Sequence, residues 1–189
     1  MKQIPACCFI GHKPQEFHFG HDELYEDCLL LKAALAREIK AILAQGITTF
    51  FTGMALGADM WCAEIVLALR EEAPELGIEL TAVAPFAGQA NRWSNDYRER
   101  YFNILERAQE VVVLQEHYAK NCLAKCGQYM ADRSTHLLAV YNGSPGRTRD
   151  ALEYARKRNL TCIVINPQTL VSERQSPLRR FILLKKADH

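Results

Sequence analysis

The stretch Phe50-Phe51-Thr52-Gly53-Met54-Ala55-Leu56-Gly57-Ala58-Asp59-Met60-Trp61 decides the fold that we predict. An apolar run typical of a buried strand ends at Thr52, two glycines four residues apart follow, and a helical pattern begins at Gly57. Glycine lets the backbone turn sharply and approach a ligand, and the free N–H groups at the start of a helix favour an anion. The segment predicts a phosphate-binding strand–turn–helix unit. Its spacing matches neither the Rossmann fingerprint nor a P-loop, so a tight turn without a ligand stays an alternative.

Short apolar runs alternate with longer helical patterns along most of the chain. This alternation predicts an α/β protein with a Rossmann-like, doubly wound, mainly parallel six-stranded sheet and helices on both faces. We expect strands at residues 6–10, 48–52, 79–84, 110–114, 136–141 and 161–165. We expect helices at residues 22–45, 57–72, 92–108, 118–133 and 148–158.

The length of 189 residues, 49% of them hydrophobic, predicts one domain at residues 1–167, followed by a C-terminal extension at 168–189 where the alternation ends. Packing on the domain, mobility and formation of a homo-oligomer are all open for that extension. A net charge of +1 with scattered basic residues makes nucleic acid an unfavoured partner. The apolar runs are too short to cross a bilayer and the N-terminus has no signal-peptide pattern, so we expect no membrane partner and a cytoplasmic location.

The cysteines predict reduced thiols rather than a metal site. Cys122 and Cys126 are one helical turn apart, with His117 upstream, but no further ligands complete a tetrahedral zinc site, so we assign no metal. The sequence identifies no cofactor. Five of the seven cysteines occur in apolar patterns where a small hydrophobic residue would serve equally well: Cys7, Cys8, Cys28, Cys62 and Cys162.

Ligands of open parallel sheets bind outside the carboxyl ends of the strands, so the loops there supply the candidate site residues. The first loop contains Gly11, which permits close approach, and His12 and Lys13, which can donate to an anion. In the second loop, Asp59 either caps the helix or accepts a hydrogen bond from a ribose hydroxyl or a base amine, because a carboxylate is repelled by phosphate. The other candidates of this loop act through their backbone: Gly53, Met54, Ala55, Gly57 and Ala58.

Two later loops add candidates. After the third strand, Pro85 and Phe86 precede Arg92; the Phe86 ring either stacks on a base or anchors the loop, and Arg92 can pair with phosphate. After the fifth strand, a second glycine-rich turn leads into a helix whose expected N-cap is Thr148. Its candidates are Asn142, Gly143, Gly146 and Thr148. The chain contains no recognisable arrangement for nucleophilic or metal-assisted hydrolysis, so catalytic residues stay unassigned.

The order of these motifs resembles the SLOG superfamily, and within it the YpsA-like branch, over about residues 7–165. The resemblance rests on Gly11-His12-Lys13, on the segments 52–59, 84–86 and 129–134, and on 139–143 and 146–148. It implies a Rossmann-like nucleotide-binding fold, related to the cytokinin-activating phosphoribohydrolases, which cleave nucleoside monophosphates, and to the DNA-processing protein DprA. The residues matching the first glycine loop of the family are Gly53, Gly57, Ala58 and Asp59, and those matching the second are Gly146 and Thr148.

The chain departs from the phosphoribohydrolase motif Pro-Gly-Gly-x-Gly-Thr-x-x-Glu. Arg147 stands where the glycine before threonine belongs, and Ala151 stands where the catalytic glutamate belongs. Glu153 lies two residues further along the helix and on a different face. We therefore expect a module that binds a nucleotide or a phosphosugar-like small molecule. A nucleotide-processing hydrolase acting through Asp59 or Glu64 and a DprA-like single-stranded DNA binder stay open as alternatives.

Overall fold

Seven strands and five α-helices alternate along residues 5–177, the part of the chain that this computed structural model describes. The strands are β1 (Ala6–Gly11), β2 (Thr49–Thr52), β3 (Glu79–Ala84), β4 (Glu110–Val113), β5 (His136–Val140), β6 (Thr161–Ile165) and β7 (Ser172–Gln175). The helices are α1 (Glu26–Leu43), α2 (Ala58–Glu72), α3 (Asn95–Arg107), α4 (Cys122–Asp132) and α5 (Arg147–Lys157). Single 3-10 turns occur at Pro14–Glu16 and Pro74–Leu76.

The strands form one sheet in the order β4-β3-β2-β1-β5-β6-β7. The first six strands are parallel, which confirms the predicted Rossmann-like sheet. β1 lies at the centre, where Cys8 pairs with Phe51 of β2 on one side and Leu137 of β5 on the other. The chain winds outward from β1 to β4, then crosses back to place β5 on the opposite side of β1.

The helices cover both faces of the sheet, as expected. Alternate residues of a strand point to opposite faces, so Phe9 of β1 packs with the core on the side of α1, α2 and α3, while Cys8 and Ile10 pack with α4 and α5. Both faces of the central strands are therefore buried, which explains why β1 reads as a continuous apolar run.

The seventh strand was not predicted. β7 pairs antiparallel with β6, with Glu173 opposite Val164, and lies within the segment that the sequence assigned to the C-terminal extension. The rest of that extension, from residue 178, and residues 1–4 lie outside the described part of the chain. α1 also begins later than expected, because Asp22 forms a turn in which its carboxylate accepts a hydrogen bond from the Leu24 N–H.

All seven cysteines are buried free thiols. Burial raises the pKa of Cys8 to about 12, so this thiol stays protonated at neutral pH. Among residues 5–177 no three His, Cys, Asp or Glu side chains are grouped as metal ligands. No helix in the same range is both long enough and apolar enough to span a membrane.

Candidate functional site

A cavity of about 420 Å³ lies at the carboxyl ends of β1 and β5, between which the winding direction of the sheet changes. Such a switch point is the usual ligand site of an open parallel sheet. The loops after β1, β2 and β5 all contribute to this cavity, which we call the glycine cavity. It is lined by Ile10, Gly11, Lys13, Gln15, Glu16, Gly53, Ala55, Asp59, Leu123, Cys126, Gly127, Met130, Gly146, Arg147, Thr148 and Ala151.

The first glycine turn is held by hydrogen bonds from its own threonine. The Thr52 hydroxyl accepts a hydrogen bond from the Met54 N–H at 3.2 Å and donates to the Asp59 carbonyl at 3.1 Å. Met54 has a φ of 57° and a fully buried side chain, so it packs in the core and its side chain does not line the cavity. The turn thus exposes only Gly53 and Ala55 to the glycine cavity.

Gly57, the N-cap of α2, packs against the loop after β1. Its φ is 88°, and a Cβ placed there would lie 2.7 Å from the His12 carbonyl oxygen. The next residue, Ala58, donates its N–H to that same oxygen at 3.3 Å. The glycine is therefore required for close packing between α2 and the first loop, and neither Gly57 nor Ala58 lines the cavity.

His12 is buried and connects the loops on the two sides of the switch point. Its Nδ1 lies 3.1 Å from Glu16 Oε1, and its Nε2 lies 2.8 Å from Asn142 Oδ1. The Glu16 carboxylate also accepts a hydrogen bond from the Lys13 N–H at 2.7 Å. Because both ring nitrogens are engaged within the protein, the structure places His12 as a link between loops and not at the cavity wall.

Asp59 brings a carboxylate into the glycine cavity. It is the second residue of α2, only 6% of it is exposed, and within residues 5–177 it forms no salt bridge. Burial raises its pKa from 3.8 to about 7, although the backbone of Ala55, Gly53 and Gly11 and the charge of Lys13 act in the opposite direction. A carboxylate with a raised pKa in a cavity is typical of functional sites.

The second glycine turn places the start of α5 on the same cavity. Gly146 is the N-cap with a φ of 145°, α5 begins at Arg147, and Thr148 lies within the first turn. The expected cap at Thr148 is therefore wrong, because the chain enters the helix through a conformation that favours glycine. Gly146, Arg147, Thr148 and Ala151 all line the glycine cavity.

A second cavity, of about 900 Å³, adjoins the first. We call it the aromatic cavity, because Phe86, Trp93, Tyr97 and Tyr118 line it, with Arg92 and Gln89 among them. The rings of Phe86 and Tyr118 meet edge to face, 5.5 Å apart. The two cavities share a boundary formed by Lys13, Gln15, Ala55, Leu123 and Arg147.

Gln89 fixes the aromatic cavity to the first glycine turn. Its side-chain Nε2 donates to the carbonyl oxygens of Gly53 and Met54, each at 3.2 Å. These two acceptors require the amide nitrogen to face them, so the Gln89 oxygen points elsewhere. That buried oxygen has no partner among the described residues.

Three other candidates lie outside both cavities. Pro85 is buried at the end of β3. Asn142 and Gly143 line a third hollow of about 460 Å³, beside Tyr141 and Arg156, at the β6–β7 side of the sheet.

Sequence reasoning missed the wall that α4 contributes. Leu123, Cys126, Gly127 and Met130 line the glycine cavity from this helix. Their spacing of three to four residues identifies one helix face, which is the pattern of any core helix, so no local pattern distinguished them.

Comparisons with known proteins agree with this architecture. The family model described as the YspA SLOG family matches residues 7–170. A UPF0398 protein of Halalkalibacterium halodurans is 30% identical over 161 residues, covering 84% of this chain and 82% of that protein. A UPF0398 protein of Staphylococcus epidermidis is 26% identical over 169 residues, covering 86% and 88%.

Two solved structures of DNA processing protein A are similar in fold. The Helicobacter pylori protein, solved to describe its single-stranded DNA binding mode, has a TM-score of 0.58 at 11% identity, covering 87% of this chain and 66% of that chain. The Streptococcus pneumoniae protein has a TM-score of 0.54 at 14% identity, covering 86% and 50%. At these identities the similarity concerns the fold alone. The family match, which spans most of the chain, goes further: this protein belongs to the YspA SLOG family.

Proposed function

We propose that this protein binds a nucleotide or a nucleotide-derived ligand across the glycine and aromatic cavities. The observation that carries the proposal is the convergence of both glycine turns and the loop after β1 on one cavity at the switch point of the sheet. Two independent strand-to-helix turns rarely need to face one empty space for packing reasons alone. Their convergence supports a ligand site.

The start of α5 is the best position for the phosphate. An 11-residue helix presents its free N–H groups there, and Gly146 allows close approach. The Thr148 hydroxyl can donate, and the cationic side chains of Lys13 and Arg147 stand at the boundary of the cavity. The start of α2 is less suitable, because Asp59 in its first turn lines the cavity and repels an anion, whereas Asp150 in the first turn of α5 lines neither cavity.

The aromatic cavity suits a base. Aromatic rings offer faces for stacking, and the exposed Tyr118 and the partly exposed Phe86 lie at its wall. A ligand with its phosphate at α5 and its base among these rings crosses the boundary between the two cavities, where Lys13 and Arg147 lie.

Binding without cleavage of the N-glycosidic bond is the activity that the site supports best. Ala151 faces the glycine cavity from α5, at the position of the phosphoribohydrolase glutamate. A methyl group there cannot stabilise positive charge on a ribose, so the site lacks a main element of that mechanism.

A thermal-shift experiment with AMP, GMP, CMP and UMP tests the proposal. A ligand at about 100 times its dissociation constant adds roughly 2.7 kcal/mol of stability. For a chain of this size we expect that to raise Tm by about 5–10 °C for at least one of the four nucleotides.

The variant Arg147→Ala should lose most of this shift, and Arg149→Ala is its matched control. Arg149 lies on the same helix, pairs with Glu153 on the exposed surface and lines neither cavity. Equal losses in both variants, or no shift with any nucleotide, would count against the proposed site.

Binding of single-stranded DNA is the second candidate function. The fold similarity to the Helicobacter pylori protein favours it, as do Arg92 and Tyr118 at the open side of the aromatic cavity. Stacking on aromatic rings beside a cation is a general mode of binding single strands. A competition experiment distinguishes the two functions. If DNA binds in this cleft, a thymidine oligonucleotide should displace a bound fluorescent nucleotide. Arg92→Ala should then weaken binding of the oligonucleotide more than binding of the nucleotide.

A further inference from the structure

Burial raises the pKa of Asp59, and the backbone of Ala55, Gly53 and Gly11 and the charge of Lys13, which stabilise its carboxylate, do not offset this effect. Only 6% of Asp59 is exposed, and no cation of residues 5–177 forms a salt bridge with it. Its Oδ2 lies next to Gly53, where an added Cβ would approach to 3.0 Å, so glycine keeps the carboxylate open to the cavity. A buried carboxylate without a salt bridge is costly, and a donor on a ligand would compensate it.

Phosphate is not that ligand group. Asp59 and Glu16 both line the glycine cavity, and their negative charges repel an anion. Arg147 and the first turn of α5 line the cavity from another element, whereas the charge of Lys13 acts on Asp59 itself, where it counteracts the rise in pKa that burial causes. The cavity therefore offers anion-binding groups at the start of α5 and an acceptor at Asp59.

A base is the second group to exclude. The rings that can stack on a base line the aromatic cavity, and none of them lines the glycine cavity. Asp59 lines only the glycine cavity. In a nucleotide the ribose lies between the phosphate and the base, and its vicinal hydroxyls are the donors nearest to a phosphate bound at α5.

We propose that Asp59 accepts hydrogen bonds from the ribose hydroxyls of the bound nucleotide and makes the site selective for ribonucleotides over deoxyribonucleotides. This inference rests on the proposed function, since it assigns a ligand group within the same site. Asp59 is a specificity-determining residue in this arrangement, and Gly53 keeps its carboxylate accessible. The same selectivity disfavours DNA as the ligand of this cleft.

Isothermal titration with matched ligands tests the assignment. The probes are the four ribonucleoside 5′-monophosphates, their 2′-deoxy forms and 3′-deoxy-AMP, titrated into the full chain at pH 8. A hydrogen bond to a charged acceptor predicts that the wild-type protein binds a ribonucleotide about 10- to 100-fold more tightly than its deoxy form. In Asp59→Asn and Asp59→Ala this ratio should fall to within a few-fold of one, with phosphate-dependent binding retained.

Asp132→Asn is the control. Asp132 is also partly buried, but it pairs with Tyr154 and Arg158 at the end of α4, outside both cavities, so this variant should keep the wild-type ratio. Equal wild-type affinity for ribo and deoxy ligands would overturn the role of Asp59 and leave the nucleotide site standing. A ratio that persists in both folded Asp59 variants would overturn it too. Absence of binding by every nucleotide would instead overturn the proposed function and this inference together.

Discussion

At the scale of single residues, the role that we propose for Asp59 has a cost in stability. Burial raises its pKa to about 7, well above its ordinary value of 3.8. The folded protein therefore holds a proton that the unfolded chain has released between about pH 4 and pH 7. Stability falls as pH rises through that window, because the unfolded state then binds fewer protons than the native state.

The Asp59→Asn variant should reveal this cost. Asparagine carries no charge, so the variant does not lose stability as pH rises. We expect its free energy of unfolding at pH 8 to exceed that of the wild-type protein by on the order of 3 kcal/mol. The advantage should shrink as pH falls, to about 1 kcal/mol at pH 4.5. Urea denaturation at pH 4.5, 6 and 8 measures it, and a difference that does not vary with pH would contradict the assigned cause.

At the scale of elements, the start of α2 is docked onto the loop after β1 through a glycine. Gly57 has a φ of 88° and lies against the His12 carbonyl, which accepts the Ala58 N–H. This contact fixes the helix that carries Asp59 relative to the loop that carries Lys13. The geometry of the glycine cavity therefore depends on a residue that does not line it.

The Gly57→Ala variant should destabilise the fold more than Gly77→Ala. Gly77 also has a positive φ, 61°, but no atom lies within 4 Å of its added Cβ, so it reports the backbone strain alone. Gly57, with φ 88° and ψ −128°, lies outside the left-handed helical region that Gly77 adopts with φ 61° and ψ 42°, so its strain is larger and a clash with backbone adds to it. We expect a loss of about 2–4 kcal/mol against about 1 kcal/mol for the control. Thermal denaturation compares them; equal losses would show that the His12 contact is unimportant.

The elements also show how far sequence reasoning reaches. The six parallel strands are apolar enough to be found by pattern, and the glycine turns identified the correct edge of the sheet. β7 was missed because Ser172–Gln175 is polar and mostly exposed, so it carries no alternation. His12 was assigned to ligand contact because nothing local reveals a partner such as Asn142, which is distant in sequence and becomes a neighbour only when β1 and β5 pair.

At the scale of the whole molecule, charge argues against strong binding of nucleic acid. The chain has 23 Lys and Arg against 22 Asp and Glu. The cationic side chains that line the two cavities are Lys13, Arg92 and Arg147. A cleft with three phosphate contacts releases few counterions, whereas a polyanion-binding surface releases many.

Binding of single-stranded DNA should accordingly be weak and only mildly sensitive to salt. Three phosphate contacts predict a slope of about −2 in a plot of log affinity against log salt concentration. Fluorescence anisotropy with a labelled thymidine oligonucleotide between 50 and 200 mM salt, roughly the range over which strong binders lose most of their affinity, measures this slope. A slope steeper than about −5 would indicate a larger basic surface and promote the DNA-binding alternative.

The division of the cleft into two cavities has a consequence for how the family can diversify. Phe86, Gln89, Arg92, Trp93 and Tyr97 all come from one uninterrupted piece of chain between β3 and the first turn of α3. The wall that we propose to bind the phosphate comes from other loops. A transplant of residues 85–97 from a relative that keeps Gln89, which holds the first glycine turn, should therefore change the preference for one base over another and leave the affinity for the sugar-phosphate unchanged. New ligand preferences can then arise by replacing one continuous segment.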